Sequence, residues 1–286
     1  MESIDNNKIA KMDLLEIIRR KSRWVRSETL RIHKIAPGIR IASALSCIEL
    51  LCVLYYGGIL RFDSRDEYLS DRDRFIISKA HGTVSFYPIL ADLGFFNAVQ
   101  LSKVGKKGSI LGDIPDCSIP GFETINGSLG HGLGVACGMA LGLKAKGQES
   151  KVFVLSGDGE LNEGSVWEAI MFAGHNKISD LILIIDNNKI CMLDYCKKII
   201  ALEPLEDKFE QFGWQATRVD GHDVEALHAG LSQLKSSDLD KPKVLIADTV
   251  KGKGVPRLES DSLCHIKALN CAEIETLLVA MEQRDE

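Results

Sequence analysis

A parallel β-sheet with helices packed on both faces is what this sequence predicts, and three observations predict it. From Lys151 onward, short strand-like runs alternate with helical segments. The runs VFVLS, LILIID and VLIADT are apolar at successive positions, as strands buried on both faces are. Two of them break at polar turns, Gly157-Asp158-Gly159 and Asp186-Asn187-Asn188.

Taken in order, residues 8–35 read as a helix with a charged face, stopped by Ala36-Pro37-Gly38. Apolar residues crowd 43–56 and Gly57-Gly58 follows, so one helix is expected there. A short strand at 75–78 and a helix at 84–93 come next. The stretch 102–127 holds five glycines and two prolines with little periodicity. A loop that long inside a compact domain is usually functional. Gly127-Ser128-Leu129-Gly130 then opens a helix rich in small residues, which must pack closely against something. The regular half follows: strand 152–156, helix 164–176, strand 181–186, helix 204–212, strand 216–220, helix 223–235 and strand 244–249. A short polar tail is expected after Val255. With no internal repeat and no linker, the expectation is one domain over 1–286.

The 286 residues are 45% hydrophobic and 26% charged, with a net charge of −5. That balance argues against nucleic acid or an anionic membrane as partner, since either needs a concentrated basic face. Two short basic runs, at 103–107 and 251–253, read as solvated loops. No apolar stretch reaches the roughly 18 residues of a membrane span. The polar start, MESIDNNKIAKMD, lacks a signal-peptide core. The eight cysteines form no CxxC pair, which argues against a zinc site or a disulfide framework. Reduced, structural thiols in the cytoplasm are the expectation.

In a parallel sheet of this kind, ligands bind at the carboxyl ends of the strands. Asp158 and Asn188 both fall there, on strands joined by one crossover helix. A carboxylate and an amide oxygen suit Mg²⁺ or Ca²⁺, with water and phosphate oxygens completing the shell. Gly157 and Gly159 let a phosphate approach the backbone, and the helix starting near Glu163 offers free N–H groups. The local chemistry therefore points to a metal-bridged diphosphate. A plain strand-turn-helix with Asp-Gly turn chemistry is the competing reading.

At this point the sequence resembles the transketolase family of thiamine diphosphate enzymes. The motifs that carry the resemblance are SALSCIELLCVLYY, DRFIISKAHG, PGFETINGSLGHGLGVACGMALGLK, GDGELNEGSVWEAIMFAGHNK, IIDNNKI, LEPLEDKFEQFGW, VDGHDVEAL and TVKGKGV. They cover nearly the whole chain and match the diphosphate-binding domain. The pyrimidine-binding and C-terminal domains of a one-chain transketolase have no counterpart, so the chain resembles the N-terminal subunit of a split enzyme. The resemblance implies that Asp158, Asn188 and the main-chain carbonyl of Ile190 hold Mg²⁺. It implies that Gly127, Ser128, Leu129, Gly130, Gly157, Gly159 and Glu160 line the cofactor. His81 is implied beside the diphosphate and the reacting carbon, His265 as the family's catalytic late histidine after the KGKGV segment, and Glu163 in a network joining two active sites. His131, beside the glycine turn, is equally readable as structural. The implied reaction moves a two-carbon ketol unit from a ketose to an aldehyde, with the cofactor storing the carbanion. The activating glutamate of the family lies in the pyrimidine domain, so a partner chain is expected to supply it, in a heterotetramer.

The family pattern breaks in two places. Arg40 stands where the family has histidine, and the loop that reads Gly-His-Pro in the family is Gly112-Asp113-Ile114-Pro115, with Ile114 or Asp113 at the histidine position. Arginine is a fixed cation that suits a carboxylate or phosphate. The cofactor half of the site is thus expected intact and the substrate half altered, which favours an unusual sugar. Ordinary pentose-phosphate chemistry and a non-catalytic scaffold are the alternatives.

Overall fold

The computed structural model describes residues 6–66 and 69–283. Five parallel strands form one sheet in the order β1-β2-β3-β5-β4: Arg74–Ile77 (β1), Val152–Gly157 (β2), Leu181–Asn187 (β3), Gln215–Asp220 (β4) and Lys243–Asp248 (β5). The expected fold class is the one observed. Successive side chains of a strand point to opposite faces, and both faces here are covered. Phe153, Leu155, Ile182, Ile184 and Leu245 enter one apolar cluster, and Val152, Val154, Leu183, Ile185 and Val244 enter the other. That is why the strands read as continuous apolar runs.

The first cluster is closed by α1 (Asn6–Ile35), α3 (Ile48–Tyr56), α4 (Thr83–Asp92) and α9 (Val224–Ser236). The second is closed by α5 (Gly132–Ala145), α6 (Gly164–His175) and α8 (Leu205–Gln211). Residues 1–5 of the polar start lie outside the described residues. No helix among the described residues is long and apolar enough to cross a membrane.

Two expectations need correction. The helix expected over 43–56 is two, α2 (Ile41–Leu45) and α3, with a turn at Ser46-Cys47. The Ser46 hydroxyl donates to Asp186 at 2.6 Å, and the Ser43 carbonyl accepts from Lys79 Nζ at 3.0 Å. Polar demands from the sheet thus compete with the helix at that turn.

The polar tail expected after Val255 instead contains α10 (Pro256–Glu259) and α11 (Cys271–Glu282). Asn270 caps α11 reciprocally with Glu273, whose side chain accepts the Asn270 N–H at 2.8 Å. Ile274 and Leu278 join the cluster under α1.

The small-residue helix α5 packs against β2 and α6 on one side only. A Cβ at Gly134, Gly138 or Gly142 would meet nothing within 4 Å, so that face is open in this chain.

Candidate active site

A cavity of about 340 Å³ opens at the carboxyl ends of the strands. Strands across the sheet deliver chemistry to it. Lys79 and His81 follow β1, Asp158 follows β2, Asn188 and Ile190 follow β3, and Lys251 follows β5. The register of β2 against β3 pairs Gly157 with Asp186. Asp158 and the turn after β3 therefore face each other, as the crossover argument expects. Asp158 Oδ1 accepts the Gly159 N–H at 2.7 Å and Oδ2 accepts the Lys189 N–H.

Burial, and next the neighbouring Asp186 charge, push the Asp158 carboxyl up to about 6. Asn188 Oδ1 accepts the Ile190 N–H at 3.2 Å, folding the turn back on itself. Lys189 makes this possible at φ 69°, the left-handed region. The Ile190 carbonyl accepts from Lys251 Nζ at 2.7 Å, and the Cys191 carbonyl accepts from it at 3.1 Å. The turn thus presents hard oxygens to a cation already. This donor set, carboxylate, amide and carbonyl, fits Mg²⁺ with open positions for phosphate and water.

Behind the cavity lies a buried ion pair between Lys79 and Asp186. Burial opposes the Asp186 charge, but Lys79 and the Ser46 and Thr249 hydroxyls hold its carboxyl below the usual range. Burial likewise opposes the Lys79 charge, and Asp186 holds its ammonium above the usual range. Burial, and then the Lys79 charge, bring Lys251 down. Lys79 spends its donors on Asp186, Ser46 Oγ and the Ser43 carbonyl, which leaves Lys251 as the cation at the cavity that a diphosphate could meet.

The other expected cofactor residues divide. Gly157, Gly159 and Leu129 line the cavity, while Gly127 and Ser128 are exposed on the loop leading to it. Glu160 also borders the cavity, yet its carboxylate is consumed inside the chain. It accepts from Ser78 Oγ at 2.5 Å, the Gly130 N–H at 2.9 Å and Ser156 Oγ at 2.8 Å. Glu160 ties the glycine turn to the ends of β1 and β2, which is a positioning role. Gly130 sits at φ 88°, and a Cβ there would lie 2.7 Å from Glu163 Cβ. Glu163 is exposed at the start of α6, outside the cavity. His131 is exposed at the start of α5, also outside it.

His81 and His265 come together, their rings 5.1 Å apart and edge to face. His265 is 8% exposed, its Nδ1 lies 3.2 Å from Ser43 Oγ, and its buried Nε2 has no partner among the described residues. Burial, and then the Lys251 charge, lower it to about 3, so the imidazole is neutral. His81 is lowered by burial and then by Arg40. Arg40 is exposed at the start of α2, and no hydrogen bond or ion pair of its guanidinium is found among the described residues. Asp113 works in the opposite sense on His81. Ile114 is half-exposed, and its Cδ1 lies 3.4 Å from where a Gly127 Cβ would be. Ile114 thus lies beside the glycine loop that leads to the cavity.

Residues 34–282 match the family model "Transketolase, thiamine diphosphate binding domain". The chain belongs to the transketolase family. It is 35% identical over 271 residues to one of the subunits of an apulose-4-phosphate transketolase from Actinobacillus succinogenes, covering 94% of this chain and 96% of that one. It is 35% identical over 243 residues to a 6-deoxy-6-sulfo-D-fructose transketolase subunit of a Clostridium species, covering 84% of this chain and 87% of that one. The solved transketolase of Campylobacter jejuni superposes with a TM-score of 0.86 at 27% identity, covering 93% of this chain but 43% of that chain. The chain thus spans less than half of that solved transketolase and nearly all of the two named subunits.

Within this transketolase-family site, sequence reasoning misses three contributors. Lys251 belongs to a basic run expected to be solvated, yet it is 4% exposed. Lys103, Lys106 and Lys107, in the other basic run, are exposed as expected. Lys79 lies two positions before His81, and Asp186 directly precedes the two asparagines. The signal for both is a charged residue at the end of an apolar strand.

Proposed function

We propose that the chain is the diphosphate-binding subunit of a two-chain transketolase that moves a ketol unit onto or from an anionic, unusual sugar. The observation that carries the cofactor half is the convergence of Asp158, Asn188 and the Ile190 carbonyl at the mouth of a lysine-lined cavity. Asp158, Asn188 and Ile190 would hold Mg²⁺, with Lys251 and the Gly159 backbone toward the diphosphate. When bound, thiamine diphosphate supplies a resting place for the two-carbon carbanion. The chain's own residues bind and orient around it. His265 brings a neutral ring to the cavity wall, Ser43 fixes that ring, and His81 stands against it.

Arg40 supports the anionic substrate. Its guanidinium has no ion pair among the described residues and its charge acts on both histidines, and the named relatives act on a phosphorylated and a sulfonated sugar. The open glycine face of α5 and exposed Met192, Leu193 and Ile199 at the cavity mouth support a partner that covers them. That partner is the chain carrying the pyrimidine domain and its activating glutamate, in a heterotetramer. Glu163, exposed beside Gly130, is placed to meet its counterpart from a second copy.

The test is calorimetric titration of thiamine diphosphate with Mg²⁺, using this chain alone and with its partner, wild type against Asp158→Ala. Binding that Asp158→Ala removes is expected. Wild-type affinity in the variant would refute the metal assignment, and no binding in any combination would refute the cofactor.

A further inference from the structure

The turn that carries Ile190 also carries two cysteines whose sulfurs touch. Cys191 Sγ and Cys196 Sγ lie 3.1 Å apart, both thiols free and half-buried. Four of the other six cysteines are buried and two are exposed. The backbone holds this pair in place. An antiparallel bridge joins Ile190 to Tyr195, the Cys191 N–H donates to the Asp194 carbonyl at 2.9 Å, and the Cys196 N–H donates to the Lys189 carbonyl at 2.9 Å. Cys191 lines the cavity, whereas Cys196 stands behind it. A Cβ on Gly159 would lie 3.6 Å from Cys191 Sγ, so the thiol sits against the glycine that faces the diphosphate.

We propose that Cys191 and Cys196 form a reversible thiol–disulfide site that controls cofactor uptake. A hydroperoxide is the oxidant class that fits a thiol lining an open cavity. Cys191 sulfur attacks one peroxide oxygen, the O–O bond breaks, and a sulfenic acid and water result. Cys196 sulfur then attacks Cys191 sulfur, the S–O bond breaks, and hydroxide leaves with a proton as water. Two thiols lose two electrons and two protons, and hydrogen peroxide becomes two waters. A disulfide needs its sulfurs about 2.05 Å apart, so the pair must close by about 1 Å. That contraction pulls on Cys191, whose carbonyl shares Lys251 Nζ with the Ile190 carbonyl. The turn presenting Ile190 shifts, and affinity for Mg²⁺-thiamine diphosphate falls about tenfold, the scale seen when groups supporting a metal ligand are disturbed. This consequence rests on the function proposed above; the disulfide does not.

Both cysteines fall in one tryptic peptide, residues 190–197, with no lysine or arginine between them. The full chain is treated with hydrogen peroxide, free thiols are alkylated, and that peptide is weighed. The expected result is a peptide two hydrogens lighter and unalkylated, reversed by dithiothreitol and absent in Cys196→Ser. Calorimetry on the same samples is expected to give about tenfold weaker cofactor affinity in oxidised wild type, restored to the untreated value by dithiothreitol. A peptide that stays fully alkylated overturns the site. A disulfide that leaves the affinity unchanged overturns the control. If the reduced chain and its complex bind no cofactor, the proposed function and the control fall together, and the peptide mass still decides the disulfide.

Discussion

His265 gives the sharpest quantitative test, because its environment predicts a pH slope that substitution removes. Burial and the Lys251 charge lower its imidazole from 6.5 to about 3. The unfolded chain therefore binds a proton that the fold refuses. Stability is undiminished above 6.5, is lost as pH falls below it, and levels off below about 3. Between about pH 8 and pH 5 the medium passes about 1.5 units below the unfolded ring's own value while the folded ring stays neutral. At about 1.4 kcal/mol per unit, this residue should cost the fold about 2 kcal/mol over that interval.

His265→Gln keeps a hydrogen-bonding partner for Ser43 and removes the titration. Urea denaturation of both chains at about pH 8 and about pH 5 is the assay. The wild type is expected to lose about 2 kcal/mol more than the variant. Buried His33, lowered by burial to about 4, acts in the same direction in both chains and cancels in the comparison. Glu49, lowered to about 2 against the effect of burial by Arg26 and His222, loses its stabilisation as pH falls from its ordinary 4.5 toward that value, below the interval compared. Equal losses in the two chains would refute the claim that His265 is held neutral.

Other expectations follow from the same contacts. Lys79→Met leaves Asp186 buried without its cation and should destabilise the fold by roughly 3–5 kcal/mol in urea, with Asp186→Leu in the same chain restoring part of the loss. Full stability in the single variant would sink the argument that the pair compensates its own burial. Gly130→Ala places a Cβ 2.6 Å from Ser165 Oγ at φ 88°; a loss of roughly 2–4 kcal/mol is expected, and an unchanged melting temperature would contradict the constraint. Arg40→Ala, assayed with the partner chain, should leave cofactor affinity unchanged while kcat/KM for an anionic sugar falls about tenfold or more, as loss of a charge-assisted contact does. An equal fall for a neutral sugar would remove Arg40 from substrate selection.

Much of this molecule is legible before its structure. Strands that are apolar at every position can only be buried on both faces, so VFVLS and LILIID announce the layered parallel sheet. Their ends point to where a ligand would bind, because Asp158 and Asn188 fall at the carboxyl ends of buried strands. The helical end of the chain is legible too, in the Asn270–Glu273 capping box, yet it reads as a tail because its apolar face is narrow.

What sequence alone determined is therefore local: the periodicity of each element and the chemistry at each strand end. What only tertiary structure decided is which distant groups meet. The Lys79–Asp186 pair spans β1 and β3, and it places demands on Ser43 in α2 and on Ser46 at the turn before α3. Lys251, following β5, reaches the Ile190 carbonyl beyond β3, and Glu160 is used inside the chain to hold Gly130. Partners like these are fixed by sheet order and register, and register depends on packing all five strands at once. No window of sequence contains that information.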